Sequence, residues 1–289
     1  MKKQKKIARI GMVITTMIWG ITFVMVKDAL NDAGPYMFSF LRFGLAFLIG
    51  VIYSYKTLKL VSKEDIIAGL ICGIALFAGY AFQNFGLMNT TPTKSAFITS
   101  VSVLIVPLLL VVFNIQKVKI RIWIAVSLAT LGLYLLILPG EGGINIGDLL
   151  TFCCAISFAL HIIIQDNYLK KQVPILPFFC VQLSCVTLIS FLNAQFFEPQ
   201  TIIWSQRLII AIIITGVFAT FIAFLIMIWA QKILNPSETA IIFSMEPVAA
   251  ALFAVLLWGE VLGLLSWLGG GLICLGVIYG ETGKNKIDL

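Results

Sequence analysis

Apolar residues run along this chain in blocks about as long as a membrane-spanning helix, roughly 20 residues, and short stretches between them collect nearly all the charge. The blocks predict ten helices, at 10–27, 35–55, 65–88, 95–115, 121–138, 147–165, 175–195, 207–230, 238–257 and 261–280. Backbone groups in lipid must find their partners within the protein, so a spanning chain is either helical or a closed barrel. The long unbroken apolar runs lack the two-residue alternation of a barrel strand. The expected fold class is an all-α integral membrane protein with ten transmembrane helices.

The stretch around residues 235–260 has an earlier echo. A shift of 144 positions places Pro92 on Pro236, Ala96 on Ala240, Ile98 on Ile242, Ser100 on Ser244, Trp123 on Trp267 and Gly132 on Gly276, with 10 identities between Thr91 and Tyr134. This reads as an internal duplication, with a first five-helix repeat in residues 1–139 and a second in 140–289. The Gly-rich segment 139–148 has the composition of a boundary. Because five is odd, the second repeat must insert upside down relative to the first. Inverted repeats of this kind build transporters with one site near the membrane midplane, exposed to either side in turn.

Composition agrees and narrows the choice. Of 289 residues, 60% are apolar and 11% charged, well below the quarter that is usual in soluble domains. Ten spans leave no room for a soluble catalytic domain. With the amino end inside and the first helix uncleaved, the cytoplasmic loops and termini carry 16 basic residues, among them Lys2, Lys59, Lys117, Lys170, Lys284 and Lys286. The other side carries Lys27, Lys94 and Arg207, together with Glu141, Asp148 and Glu260. That bias places both termini in the cytoplasm, and it explains the net charge of +7 without nucleic acid. All six cysteines lie in apolar runs without ligand spacing and read as packing residues. No metal, cofactor or catalytic group is expected.

The polar residues inside the predicted spans are the candidate site. Glu246 falls near the middle of the ninth helix, where an acid is costly unless paired, protonated or wetted. It either binds an amine or a proton, or serves as a structural acid holding Arg42 or the amides near Pro247. Its repeat mate is Ser102, which shares a helical face with Thr99. Arg42, in the second helix, either grips a substrate carboxylate through two hydrogen bonds or pairs with a buried acid. His161 is either a proton relay or a packed, hydrogen-bonded histidine. Tyr80, Gln83 and Asn84 of the third helix must face the bundle or a cavity, and Trp19, Ser157 and Gln182 are similar. Small residues, such as Gly69, Gly73 and the run Gly269–Gly271, read as close helix contacts.

Motifs distributed over the whole chain resemble the EamA-type carriers of the drug/metabolite transporter superfamily. They are Trp19, Gly20, Thr22, Phe23 and Lys27 in the first helix, Arg42 in the second, Pro92 to Ala96 and Pro236 to Ala240 before the fourth and ninth, and Glu246-Pro247 followed by Trp258, Gly259 and Glu260. The resemblance implies ten helices in two inverted bundles around a central cavity. It also implies export of amino acids, other metabolites or drugs across the cytoplasmic membrane. The expectation is therefore a secondary transporter working by alternating access, with an amino-acid-like or related amphipathic solute as substrate, and a proton or the solute gradient as driving force. Multidrug efflux and import of a vitamin-like solute are alternatives on the same architecture. A membrane scaffold is the alternative without transport. The partners expected are the small solute and the lipid bilayer, with the chain a monomer or homodimer.

Overall fold

Each hydrophobic block becomes a helical crossing, and two of the ten are divided. The computed structural model describes residues 2–58, 62–137, 145–171, 174–199, 201–258 and 263–281. Lys59, Glu141, Gly259, Glu260, Lys284, Lys286 and residues 139–144 of the boundary segment lie outside them. The first half contains α1 (Lys2–Ala29), α2 (Pro35–Leu58), α3 (Lys63–Asn89), a fourth crossing made of α4 (Pro92–Ser100) and α5 (Ser102–Val112), and α6 (Ile120–Ile137). In the second half α7 (Ile146–Leu169) and α8 (Ile175–Phe197) precede an eighth crossing. It is built from α9 (Gln206–Ile213), a π-helical segment (Ile214–Ile222) and α10 (Ala223–Gln231). A ninth crossing of α11 (Pro236–Phe243) and α12 (Glu246–Trp258) and a tenth, α13 (Leu264–Glu281), complete the chain. Among the described residues seven crossings are long and apolar enough to span a bilayer, and α6 and α13 are shorter apolar helices.

Helix starts follow from the sequence. Ser62 with Asp65, Asn145 with Asp148 and Asn235 with Glu238 form reciprocal capping boxes at α3, α7 and α11, which satisfy amide groups that a helix start leaves unpartnered. Pro92 and Pro236 open α4 and α11, where a missing N–H costs nothing.

The continuous helices expected at 95–115 and 238–257 are each broken, and at equivalent places. Val101 N–H bonds Ile98 O (3.1 Å) and Met245 N–H bonds Ile242 O (3.0 Å), so both chains tighten to a three-residue turn at positions 144 apart. The preceding serine is shared. Ser100 Oγ donates to Ala96 O (3.0 Å) and Ser244 Oγ to Ile241 O (2.6 Å), a back-bond that bends helices. Pro247 adds to the second break, since its ring clashes with the carbonyl four residues earlier.

Exchanging the two halves maps neighbours onto neighbours. α3 against α7 becomes the eighth crossing against α1, and α3 against α8 becomes the π segment against α2. α2 with α8 and α6 with α13 map onto themselves. α4 lies against α12 and α5 against α11, so the fourth and ninth crossings run antiparallel. The self-paired crossing of α6 and α13 shows why its glycines are required. A Cβ at Gly132 would lie 2.5 Å from Gly269 O, and one at its repeat mate Gly276 would lie 2.8 Å from Ala125 O. Gly69 and Gly73 likewise admit Val181 and Cys185 of α8, whereas Gly271 faces open space.

Large apolar side chains such as Ile52, Phe196, Leu264 and Leu275 are exposed around the bundle, while Arg42, Gln165, Gln182 and Glu246 are buried within it. That arrangement suits a hydrocarbon solvent outside and a polar interior.

Candidate functional site

A cavity lies at the centre, between the halves, beside both helix breaks. α1 contributes Trp19, Thr22 and Phe23; α2 contributes Arg42; α3 contributes Tyr80 and Gln83. Across the breaks come Thr99, Ser100 and Ser102 from the fourth crossing and Phe243 and Glu246 from the ninth. Phe158 and His161 of α7 and Phe224 and Met227 of α10 close the remaining sides. Its volume is about 50 Å³; a water needs roughly 10–15 Å³ by the same measure. In this conformation the cavity has room for a few waters, which is less than a metabolite needs.

A guanidinium and a carboxyl group share this space. The Arg42 side chain, 3% exposed, donates from Nε to Thr220 Oγ1 (2.7 Å) and from Nη2 to Tyr80 Oη (3.2 Å). Its guanidinium carbon also lies 4.5 Å from the Tyr80 ring centre and 5.4 Å from that of Phe43. Such cation–π contacts offset part of the cost of removing the charge from water. Among the described residues Nη1 has no hydrogen-bond partner. Glu246 is the first residue of α12, where the helix dipole favours an anion. It is buried, and among the described residues it makes neither a hydrogen bond nor an ion pair. Glu246 thus does not grip Arg42, and both groups are left to face the cavity.

The local structure that sets Arg42 is irregular. A π-helical register over Ile214–Ile222 presents Thr220 to Arg42 and leaves Ala219 O to accept from Trp19 Nε1 (2.7 Å). Trp19 in turn packs on Phe224 and Phe243, with ring centres 5.3 and 5.1 Å apart. π segments of this kind recur at functional sites because they re-aim side chains.

The walls are related by the repeat but differ in chemistry. At the 144-residue offset Tyr80 stands on Phe224, Gln83 on Met227 and Thr99 on Phe243, so these three polar lining residues of the first half correspond to apolar ones in the second. Ser102 and Glu246 reverse the sense. On α1 and α7, Trp19, Thr22 and Phe23 match Phe158, His161 and Ile162 in spacing.

Of the eleven residues named from sequence, Gln182 bonds His161 behind the wall and eight line the cavity: Trp19, Arg42, Tyr80, Gln83, Thr99, Ser102, His161 and Glu246. Asn84 and Ser157 do not. Asn84 Nδ2 bonds Ser39 Oγ (2.9 Å) and Pro35 O (3.2 Å), joining α3 to α2, and Ser157 Oγ bonds Cys153 O (2.9 Å) within its own helix. Sequence reasoning missed Thr220, Phe158 and Phe224; the repeat offset from Tyr80 was the available signal for the last. It also missed a string of amides. His161 Nε2 meets Gln182 Oε1 (3.0 Å), Gln182 Nε2 donates to Gln165 Oε1 (3.1 Å), and Gln165 Nε2 donates to Gln231 Oε1.

The model of the EamA-like transporter family matches residues 6–138 and matches a second time over residues 145–279. The chain belongs to the EamA-like transporter family. An uncharacterized transporter of Archaeoglobus fulgidus is 34% identical over 273 residues, covering 94% of this chain and 84% of its own. The uncharacterized transporter YoaV of Bacillus subtilis is 24% identical over 281 residues, covering 93% and 94%. One crystal structure matches with a TM-score of 0.78 over 95% of this chain and 96% of its own, at 15% identity, a likeness of fold alone. This EamA-like protein is accordingly a multi-pass membrane transporter, and its central cavity is the place to look for its solute.

Proposed function

We propose that the protein is a secondary carrier that exports an amino-acid-like zwitterion, or a related amphipathic metabolite, across the cytoplasmic membrane by alternating access. The observation that supports this reading is a buried guanidinium and a buried carboxyl group that are not paired with each other. Arg42 offers Nη1 to a carboxylate, Glu246 offers a carboxylate to an ammonium, and neither satisfies the other. A bound zwitterion supplies both missing partners, which offsets the cost of keeping the two charges dry. Glu246 is also the group placed to carry a coupling proton; without that role the carrier follows its solute gradient.

The test compares metabolites inside cells and in the medium, with the protein overproduced or deleted. Reciprocal accumulation of amino-acid-like compounds in the medium is expected. Accumulation inside cells on overproduction would reverse the direction, and no change in any zwitterionic metabolite would remove the substrate class. A second reading, efflux of amphipathic drugs, is favoured by the six aromatic rings of the lining: Trp19, Phe23, Tyr80, Phe158, Phe224 and Phe243. It predicts altered resistance to aromatic cations in the same strains.

A further inference from the structure

The repeat relates two ion pairs at opposite ends of the bundle. Lys94 and Glu238 are 144 residues apart and hold the same place in their helices. Lys94 N–H is capped by the Thr91 side chain at the start of α4, and Glu238 N–H by the Asn235 side chain at the start of α11. Because the fourth and ninth crossings run antiparallel, these two helix starts lie at opposite faces of the membrane. Each reaches to the N-terminal part of a repeat-related helix. Lys94 Nζ pairs with Asp148 Oδ2 of α7 at 2.6 Å, and Glu238 Oε1 pairs with Arg9 Nη2 of α1 at 3.5 Å. The charge order is reversed between the ends and Arg9 lies two turns into α1 whereas Asp148 lies in the first turn of α7, but each pair ties the front of a broken crossing to the N-terminal part of α7 or of α1.

The two ties are not equal. At the α4 end Asp148 also accepts from Thr90 Oγ1 (2.7 Å), and Lys27 Nζ donates to Leu87 O (2.6 Å) and Thr90 O (2.7 Å), so α1, α3, α4 and α7 converge. At the α11 end the pair is longer and borders a vestibule of about 220 Å³ lined by Glu238, Lys5, Asp166 and Gln231. The amide string that begins at His161 in the central cavity ends at Gln231 in this vestibule. Gln231 is 2% exposed, and its Nε2 has no partner among the described residues.

We propose that Lys94–Asp148 and Arg9–Glu238 are the alternating gates of the carrier. Each holds its own end of the central cavity closed, one is released while the other is made, and this conformation is firmly shut at the α4 end with the lighter closure at the α11 end. The amide string is the polar seam along which water reaches the cavity once Arg9 and Glu238 part. The proposal rests on the alternating-access reading.

Sided thiol labelling tests both and separates them. The full chain, with its six cysteines replaced and Ser102→Cys introduced in the cavity wall, is placed in membrane vesicles of each orientation and exposed to an impermeant thiol reagent. Asp148→Asn and Glu238→Gln remove the charge but keep the acceptor that caps the helix, so folding is preserved. Asp148→Asn is expected to raise labelling from the α4 side, and Glu238→Gln from the α11 side, each by roughly fivefold, the ratio that about 1 kcal/mol gives, while labelling from the far side falls. Lys94→Glu combined with Asp148→Lys is expected to restore the original sidedness. Labelling of the cavity cysteine from one side only, in every variant, would overturn alternating access and the gates with it. Labelling from both sides that the two variants raise equally, or leave unchanged, would overturn the gates alone.

Discussion

At the residue scale, Arg42 shows how much of its role depends on shape as well as charge. Its fork bonds Thr220 and Tyr80 from different nitrogens and lies over two rings. A lysine ammonium is a compact point charge that cannot keep both bonds and the stacking together. Arg42→Lys is therefore expected to weaken binding of a carboxylate solute by about tenfold or more, the effect of roughly 1.4 kcal/mol, with solubilised protein retaining its fold. Equilibrium binding of the solute found by metabolite comparison is the measurement, and an unchanged affinity removes Arg42 from the binding site. The charged members of the site were legible because a charge inside an apolar block is conspicuous. Thr220 was not, since a threonine in such a block is ordinary, and only the π register turns it to Arg42. Asn84 was equally conspicuous, but its amide is used in joining α3 to α2. Polarity in a span marks a residue that faces inward without saying whether it faces a neighbour or a cavity.

At the element scale, the two breaks are what the hydrophobic pattern could not show. Periodicity located the fourth and ninth crossings to within a few residues, yet a three-residue turn at Val101 or Met245 leaves the apolar run intact. The pairing of Ser100 with Ser244 was visible, and its consequence needed coordinates. Pro247 reinforces one break and has no counterpart in the other, where Val103 occupies the equivalent position. Pro247→Ala lets α12 extend backward toward α11 and restores a backbone donor. It is expected to raise the thermal midpoint of purified protein by about 2–4 °C, which corresponds to roughly 1 kcal/mol, and to slow transport, since stabilising a functional irregularity commonly costs activity. Equal transport rates for the two proteins would mean that this break takes no part in transport.

At the scale of the whole molecule, polar ties between loops fix how the two halves meet. Asp32, between α1 and α2, accepts from Arg207 Nε (2.5 Å) and Nη2 (2.6 Å) and from Ser205 Oγ (2.5 Å), and its carbonyl accepts from Ile203 N–H (2.9 Å). The hydrogen bonds from Arg207, then that from Ser205, hold the Asp32 carboxyl down from its ordinary 3.8 to about 2. A pKa lowered by folding gives stability that is fully present above the unfolded value and is lost as pH falls through the folded one. The difference in thermal midpoint between the native chain and Asp32→Asn is thus expected to be constant above about pH 5 and to close between pH 4 and pH 2. A difference that persists unchanged to pH 2 contradicts the tie. Ten crossings, the duplication and the inward polar set could be read from sequence because a bilayer dictates them. How the halves are tied could not, because Asp32 and Arg207 are distant in the chain and unremarkable where they stand. The unlike walls of the cavity carry one more implication. A cation at Arg42, an anion at Glu246 and an aromatic face at Phe224 and Phe243 are three contact points of different kinds around one small space. For the zwitterion proposed above, three such points are enough to tell left-handed from right-handed, and a site that selects it by them also reads its chirality.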